Sequence, residues 1–475
     1  VTTAYVRAEL PAFRELAEPQ LAFGDRHQTR GIDSHPLRGL VAHGPFSGAL
    51  LTGFKDTIRL AIVAPQEELG VARRIVDELR AAHKPQERPD YLVDYPGFRA
   101  VFDVDISVAG DEANVPFLAD LDDRIHAASD PRQVIVDTVE AAVSVAARNR
   151  SAFDVLVVRL PARWSQWFRG PDDFDLRHSL KAAAARRGIA TQIILDDALN
   201  YADRCSVAWR LAIALYTKGG GVPWKLAETR PGTAYVGIGY ALRSAHAQRF
   251  VRCVAQVFDD RGTGLEFVGY TATEEDGTRI DGDNPYLNRR QMHAVLARGV
   301  QLYQAQHQGA LPRRVVVHKT TPFTGIETEG AFDALGRIPD VELIQVQQDT
   351  PWRGVRGTGD GQPDSWPVLR GTLINLSDRD LLLWTQGNAP AVARRGNYYK
   401  EGRGVPHPVV LTRFAGHGDA EEVAAEVLAL SKMDWNNDAL YNHIPVTIAD
   451  AKDLAQILRR FPSLAGGPFP FRHFM

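Results

Sequence analysis

The sequence is poor in cysteine: Cys205 and Cys253 are the two it holds in 475 residues. Two thiols supply neither a disulfide framework nor a thiolate metal cage, and they suit a reducing, cytoplasmic setting. It has no apolar run long enough to cross a bilayer, and its opening, "VTTAYVRAEL", lacks the apolar core of a secretion signal, so no membrane association is expected. Charge of one sign is missing too. With a formal net charge of −3 there is no overall basic excess, so contact with nucleic acid has to come from a local patch. No Gly-x-Gly-x-x-Gly fingerprint follows a strand, which leaves dinucleotide binding and a redox cofactor without support. No internal repeat is visible, which argues against a solenoid.

What is present is globular. Hydrophobic residues make up 44% and charged residues 24% of the chain, and a chain of this length exceeds one ordinary core, so two to four lobes are expected. From "DTIRLAIVAP" to "SVAWRLAIALYTK", apolar runs of strand length alternate with amphipathic segments such as "EELGVARRIVDELRAAH" and "PRQVIVDTVEAAVSVAARNR". This alternation predicts a parallel, Rossmann-like sheet. Within it, "FRAVFDVDISVAG" places Phe102, Val104, Ile106 and Val108 on one face and Asp103, Asp105 and Ser107 on the other, and reads as a strand. After Trp224 the pattern changes. "GTAYVGIGYALR", "RFVRCVAQVFDD" and "GLEFVGYTAT" predict an antiparallel meander, followed by a long helix and the strand "RRVVVHKTTPF". That order fits an RNase H-like fold among several α+β folds. The segment "DTPWRGVRGTGDGQPDSWPVLRGT" is rich in Gly and Pro and reads as a loop. The whole is an α/β protein with a Rossmann-like unit over residues 1–228 and an RNase H-like unit over 229–475.

One junction is chemically loaded. "LAIALYTKGGGVPWKL" ends a helix on Lys218 and then runs into three glycines. One glycine suffices for a helix C-cap; three let the backbone pass close to something, with the Lys218 cation beside it. A helix end followed by a surface loop is the plainer account of the same residues.

The order "ATQIIL", "AIALYTKGGGVPW", "AYVGIGYAL", "VVVHKTTPF" and "DWNNDALYNHIPVTIADAKDLAQIL" resembles the MID and PIWI domains of an Argonaute from about residue 150 onward. "GLVAHGPFSGAL" is similar to the opening of the short prokaryotic Argonautes, which lack the N and PAZ domains. The resemblance implies that Arg177 or His178, together with Lys181, Gln192 and Lys218, binds the 5′-phosphate of a guide strand. Arg177 stands four residues before Lys181 and His178 three, so either shares its helical face. It further implies that Mg²⁺ bridges guide phosphates there and that the Met475 carboxylate approaches the site or its metal.

In slicing relatives, carboxylates hold two metal ions for in-line attack on the phosphodiester. The positions that match are Gly239 and Thr320, which carry no carboxylate, with Asp450 as a remnant of a further position. No slicing is therefore expected, and the chain reads as a binder rather than an enzyme. Glu274 and Glu275 fall where a glutamate finger is sought and read equally as a surface turn; with Asp450 they form the rival reading, a metal-dependent nuclease with an unconventional site. A nucleotide-binding α/β enzyme is the other rival, supported by the Rossmann-like half alone. Arg394, Arg395, Lys400 and Arg403, interleaved with Tyr398 and Tyr399, suit a nucleic-acid backbone. The partners implied are a small guide RNA, complementary single-stranded target DNA, and an APAZ-containing protein with a sirtuin-like or TIR NAD-hydrolysing effector, joined as a heterodimer in a defence complex.

Overall fold

The computed structural model describes residues 12–25, 30–47, 55–171, 174–245, 248–273, 277–282, 284–357, 362–400, 404–436, 438–461 and 469–475. Two sheets organise them. The first is parallel, ordered Ala190–Ile194, Val155–Arg159, Thr57–Ala64, Asp105–Val108, with Val115–Pro116 also paired to the central strand. Its two central strands, Thr57–Ala64 and Val155–Arg159, are largely buried on both faces because helices cover them, which is why they read as continuous apolar runs. Helix Val71–Arg80 buries Val71, Ala72, Ile75, Val76 and Leu79, a single stripe at helical spacing. Helices Pro131–Ala146, Leu176–Ala185 and Arg204–Lys218 each start on an aspartate, Asp130, Asp175 or Asp203, whose carboxylate accepts from first-turn amides.

One expected strand is partly a helix. Phe98–Phe102 is helical and only Asp105–Val108 is extended. The period-two pattern hid a period of three to four: Phe98, Val101 and Phe102 are the residues buried, and Phe102 stacks on Tyr216 at 4.3 Å. Gly97 at φ 103° and Asp103 at φ 57° bracket the short helix in conformations that end regular structure.

The second sheet has ten strands, running from Phe13–Glu15 at one edge through Thr372–Asn375, Asp380–Leu383, Val409–Ala415, Asp340–Gln347, Arg314–Lys319, Thr233–Ala245, Gln248–Phe258 and Gly264–Thr273 to Phe469–Pro470 at the other. The predicted meander is Thr233–Thr273, and Thr233–Ala245 also pairs in parallel with Arg314–Lys319. Alternate residues of the long strand face opposite layers. Ala234, Val236 and Ile238 pack under helices Arg289–Gln306 and Gly325–Leu335, while Ala241 faces helix Val446–Arg460.

The chain ends cross between these units. Phe13–Glu15 pairs with Thr372–Asn375, so the first described strand lies on the far sheet, beyond the division expected at residue 228. The reason is electrostatic as well as hydrogen bonding. Glu18, just after that strand, accepts from Arg370 Nε at 2.9 Å and Lys432 Nζ at 2.7 Å, and all three side chains are buried.

Burial by itself raises the Glu18 pKa, but the Arg370 and Lys432 charges outweigh it and hold the carboxyl below its usual range. Its stabilisation is thus present above the ordinary carboxylate pKa and lost as pH falls through the lowered one. Glu18→Gln leaves two buried cations without their counter-charge and is expected to cost about 3–5 kcal/mol in urea unfolding at neutral pH. That gap should narrow in acid, where wild-type Glu18 protonates; a cost under about 0.5 kcal/mol would mean that the triad does not anchor the segment.

Candidate nucleic-acid interface

Three segments of the first lobe bring basic and amide groups together. Lys181 lies in the middle of helix Leu176–Ala185, Gln192 is central in the edge strand Ala190–Ile194, and Lys218 ends helix Arg204–Lys218. Lys218 Nζ donates to Gln192 Oε1 at 2.6 Å, and Gln192 Nε2 donates to the Ile193 carbonyl at 2.9 Å. Lys181 Nζ donates to the Phe474 carbonyl at 2.6 Å, which brings the chain's last residues to the same place. Phe474 and Met475 are buried, so the phenylalanine-rich tail packs inward.

Lys218 is only 4% exposed, yet among the described residues it meets no carboxylate. Burial, and then repulsion from Lys181, pushes its pKa down to about 7. The Lys181 pKa is lowered by burial as well, opposed by attraction to Asp453. Lys218, hydrogen-bonded to an amide and without a carboxylate of its own, gives the pocket a cationic side that Asp453 offsets only at Lys181, and this is the electrostatic requirement for an anion. Arg177 adds its charge to the surroundings of Lys181 but is itself paired. It is exposed and its guanidinium is engaged by Asp175, the helix N-cap, at 2.6 to 3.1 Å. His178, the alternative, is half-buried on the next residue.

The three glycines are explained by the protein itself. A Cβ on Gly219 would lie 2.7 Å from Ile58 Cδ1, and one on Gly221 would enter the Tyr216 ring at 2.2 Å. Gly220 has φ 106°, a left-handed conformation that favours glycine. What the backbone passes close to is therefore its own core, and Lys218 alone of this motif reaches the pocket.

Beside this pocket a cavity of about 1140 Å³ opens between the two lobes. Gln192 and Lys400 line it among the residues expected from sequence. Arg88, Arg210, Tyr201 and Trp366 line it without having been expected. Arg88 donates to Asp438 at 2.7 Å, and Arg210 approaches the same carboxylate at 3.7 Å. No local signal marks these arginines: Arg88 and Asp438 are 350 positions apart. Arg394 and Arg395 are exposed near the cavity's edge, where Arg395 pairs with Asp90 at 3.5 Å and the Arg394 amide donates to the Asp90 carbonyl. Arg403, Glu274 and Glu275 lie outside the described residues.

The expected slicer positions sit on the second lobe. A Cβ on Gly239 would lie 2.3 Å from the Ala451 carbonyl oxygen and 2.8 Å from the Lys452 nitrogen, so helix Val446–Arg460 lies directly against the strand there. Thr320 is half-buried, and its carbonyl accepts from Gln345 Nε2 at 3.0 Å. Asp450 is turned towards Gln256, 3.4 Å away, and lines a small cavity with Asp434 and Met475. Burial, then repulsion from Asp434 and Asp453, raises its pKa well above the usual range, which favours the protonated acid. Among the described residues no three His, Cys, Asp or Glu side chains assemble into a metal-binding group.

The architecture is that of the Argonautes. No protein-family profile matches the sequence, and no curated protein matches it. Solved structures do. Clostridium butyricum Argonaute, bound to a guide DNA with a 5′ deoxycytidine and a 19-mer target DNA, superposes with a TM-score of 0.66 at 14% identity, covering 98% of this chain and 55% of that one. Drosophila Piwi gives 0.59 at 15% identity over 97% of this chain and 55% of its own. Aquifex aeolicus Argonaute gives 0.61 at 14% over 96% and 54%. At these identities the likeness establishes the Argonaute-like fold, and the chain spans about half the length of the Argonautes it matches. Among the described residues no helix is long and apolar enough to cross a membrane.

Two outcomes follow from this geometry. A phosphate monoester entering the pocket should reprotonate Lys218, so binding takes up a proton at about pH 8.5 and little at about pH 6. Calorimetry in buffers of different ionisation enthalpy measures this; the uptake should vanish in Lys218→Met, and buffer-independent heats at the higher pH in wild type would rule the linkage out. Gly239→Asp forces a side chain into the helix backbone, so it should lower stability by about 1–3 kcal/mol or more and confer no strand cleavage with Mg²⁺ or Mn²⁺. A stable, cleaving Gly239→Asp variant would mean that this strand and helix readily part.

Proposed function

We propose that this chain is a guide-dependent nucleic-acid-binding protein that holds a small guide, RNA in this reading, by its 5′-phosphate and recognises complementary single-stranded DNA. The observation that carries the reading is the buried Lys218 amine, held by Gln192 with no carboxylate partner among the described residues and with Lys181 near it, next to a cavity of about 1140 Å³. Lysine ammonium groups and an amide donor match the oxygens of a terminal phosphate. Target choice then rests on base pairing, with the protein reading backbone and shape. Cleavage is assigned no role, because Gly239 and Thr320 offer no carboxylate to a metal.

The output of such a binder lies in a second protein. In this reading the chain is the sensing half of a cytoplasmic prokaryotic defence complex, and its partner is an APAZ-containing effector with a sirtuin-like or TIR NAD-hydrolysing domain. Support for this layer comes from the resemblance of the chain to the short Argonautes and from its lack of a carboxylate at two slicer positions.

The decisive measurement is a binding titration of 5′-phosphorylated and 5′-hydroxyl guides at fixed salt. Lys218→Ala should weaken the phosphorylated guide about ten- to a hundredfold and the hydroxyl guide far less, since a charge-assisted contact contributes roughly 1.5 to 3 kcal/mol. Lys181→Ala with Lys218→Ala should lose less than the sum, because the two act on one group. Arg394→Ala should weaken both guides alike, as a backbone contact is blind to the end group. Equal wild-type affinity for the two guides would sink the assignment.

A further inference from the structure

Two large exposed aromatic side chains border the cavity between the lobes, and they come from opposite sides of it. Tyr201, 39% exposed, belongs to the junction before helix Arg204–Lys218 in the first lobe. Trp366, 36% exposed, belongs to the Gly- and Pro-rich loop between strands Asp340–Gln347 and Thr372–Asn375 in the second. The Tyr201 ring is fixed: its hydroxyl donates to Glu87 at 2.5 Å and the Arg210 guanidinium lies over it at 5.7 Å. Trp366 is held mainly by its backbone, whose N–H donates to Asp364 at 3.3 Å. Asp364 in turn pairs with Arg356 at 3.2 Å, and Gly357 bridges Pro363, so the loop folds back on itself before presenting the indole.

The wall between these rings is mixed in charge. Arg88, Arg210 and Lys400 line the cavity, and so do Glu87, Asp90, Asp197 and Asp438. Asp438 is already neutralised by Arg88 and Arg210, and Glu87 is occupied by the Tyr201 hydroxyl. A phosphate backbone does not favour a wall with these acids, whereas nucleobases do: they present amino and imino N–H donors at their edges and π-faces to aromatic rings. The cationic requirement of the backbone is met elsewhere, at Lys181 and Lys218. The cavity is therefore the base side, next to the lysine pocket that serves the phosphate.

We propose that Trp366 is a stacking platform for a nucleobase of the bound strand, close to the end held by Lys218, so that the Gly- and Pro-rich loop sets where the strand leaves the first lobe. The proposal rests on the reading of the cavity as a nucleic-acid channel. Base–aromatic stacking tolerates any base and contributes enough to be seen by removing one base at a time.

The test uses the full chain and a set of 5′-phosphorylated single strands, each with one base replaced by an abasic site. In wild type, one or two abasic positions near the 5′ end should weaken binding about five- to a hundredfold. In Trp366→Ala that positional penalty should disappear while discrimination between 5′-phosphate and 5′-hydroxyl remains; Trp366→Phe should keep most of it. An abasic profile unchanged by Trp366→Ala, or a uniform loss at every position, overturns this proposal alone. An unchanged profile together with loss of a co-purifying protein reassigns the loop to protein docking and overturns it too. A wild-type chain that binds no strand overturns the channel reading along with it, so the two failures are distinguishable.

Discussion

The close approach of helix Val446–Arg460 to strand Thr233–Ala245 governs much of the second lobe. It requires glycine at two strand positions: a Cβ on Gly237 would lie 1.9 Å from the Thr447 carbonyl oxygen, and one on Gly239 would lie 2.3 Å from that of Ala451. The same contact fixes what the helix presents on its other turns. Ala451 meets Gly239, whereas Asp450 turns towards Gln256 and Met475, and Asp453 attracts the Lys181 ammonium. Leu454, Ala455, Ile457 and Leu458 then bury against Ala241, Val254 and Phe267.

The junction between the lobes combines an apolar cluster shared by both, in which Leu60, Trp209 and Tyr216 bury with Tyr235, Leu383 and Val427, with a set of long-range polar pairs. Glu18 joins Arg370 and Lys432, Asp438 joins Arg88, and the tail reaches helix Leu176–Ala185 through Lys181. Tyr91 contributes a further tie, donating to the Asp438 carbonyl at 2.9 Å and stacking on Tyr398 at 4.7 Å. Buried ion pairs of this kind are weak evidence for net stability, because desolvation offsets attraction, but breaking one leaves a charge stranded. Arg88 and Asp438, one of these pairs, line the cavity that lies between the lobes.

Electrostatics across this cavity is uneven in a useful way. The chain as a whole carries a formal charge of −3, yet among the described residues Lys218 is buried beside Lys181 with no carboxylate of its own, while buried Arg159 and Arg413 are paired with acids. A buried amine held near neutrality by desolvation costs less to keep in the absence of ligand, and it regains its proton when an anion arrives. Local placement, not net charge, is what distinguishes this pocket from the rest of the surface.

Much of the architecture is legible in the residues themselves. Apolar runs such as "TIRLAIVA" announce buried parallel strands, aspartates announce helix starts, and the alternating faces of Thr233–Ala245 announce a sheet between two helical layers. The identity of Lys181, Gln192 and Lys218 as a set was readable from the resemblance, and so was the absence of carboxylates at 239 and 320. The short helix Phe98–Phe102 was not, because five residues satisfy two periods at once and only the contact with Tyr216 chooses between them. Nor was the route of the N-terminal strand to the far sheet, the partnership of Arg88 with Asp438, or the place of Trp366 on the cavity rim. Those depend on pairings hundreds of residues apart, and a linear pattern encodes local propensity while distance in the chain carries no information about which charges and edges will meet. The sequence by itself determined which residue types stand at positions 181, 192, 218, 239 and 320; only the tertiary structure decided that Lys218 is buried near Lys181 with no carboxylate of its own among the described residues, because burial and neighbouring charge exist only once the chain has folded.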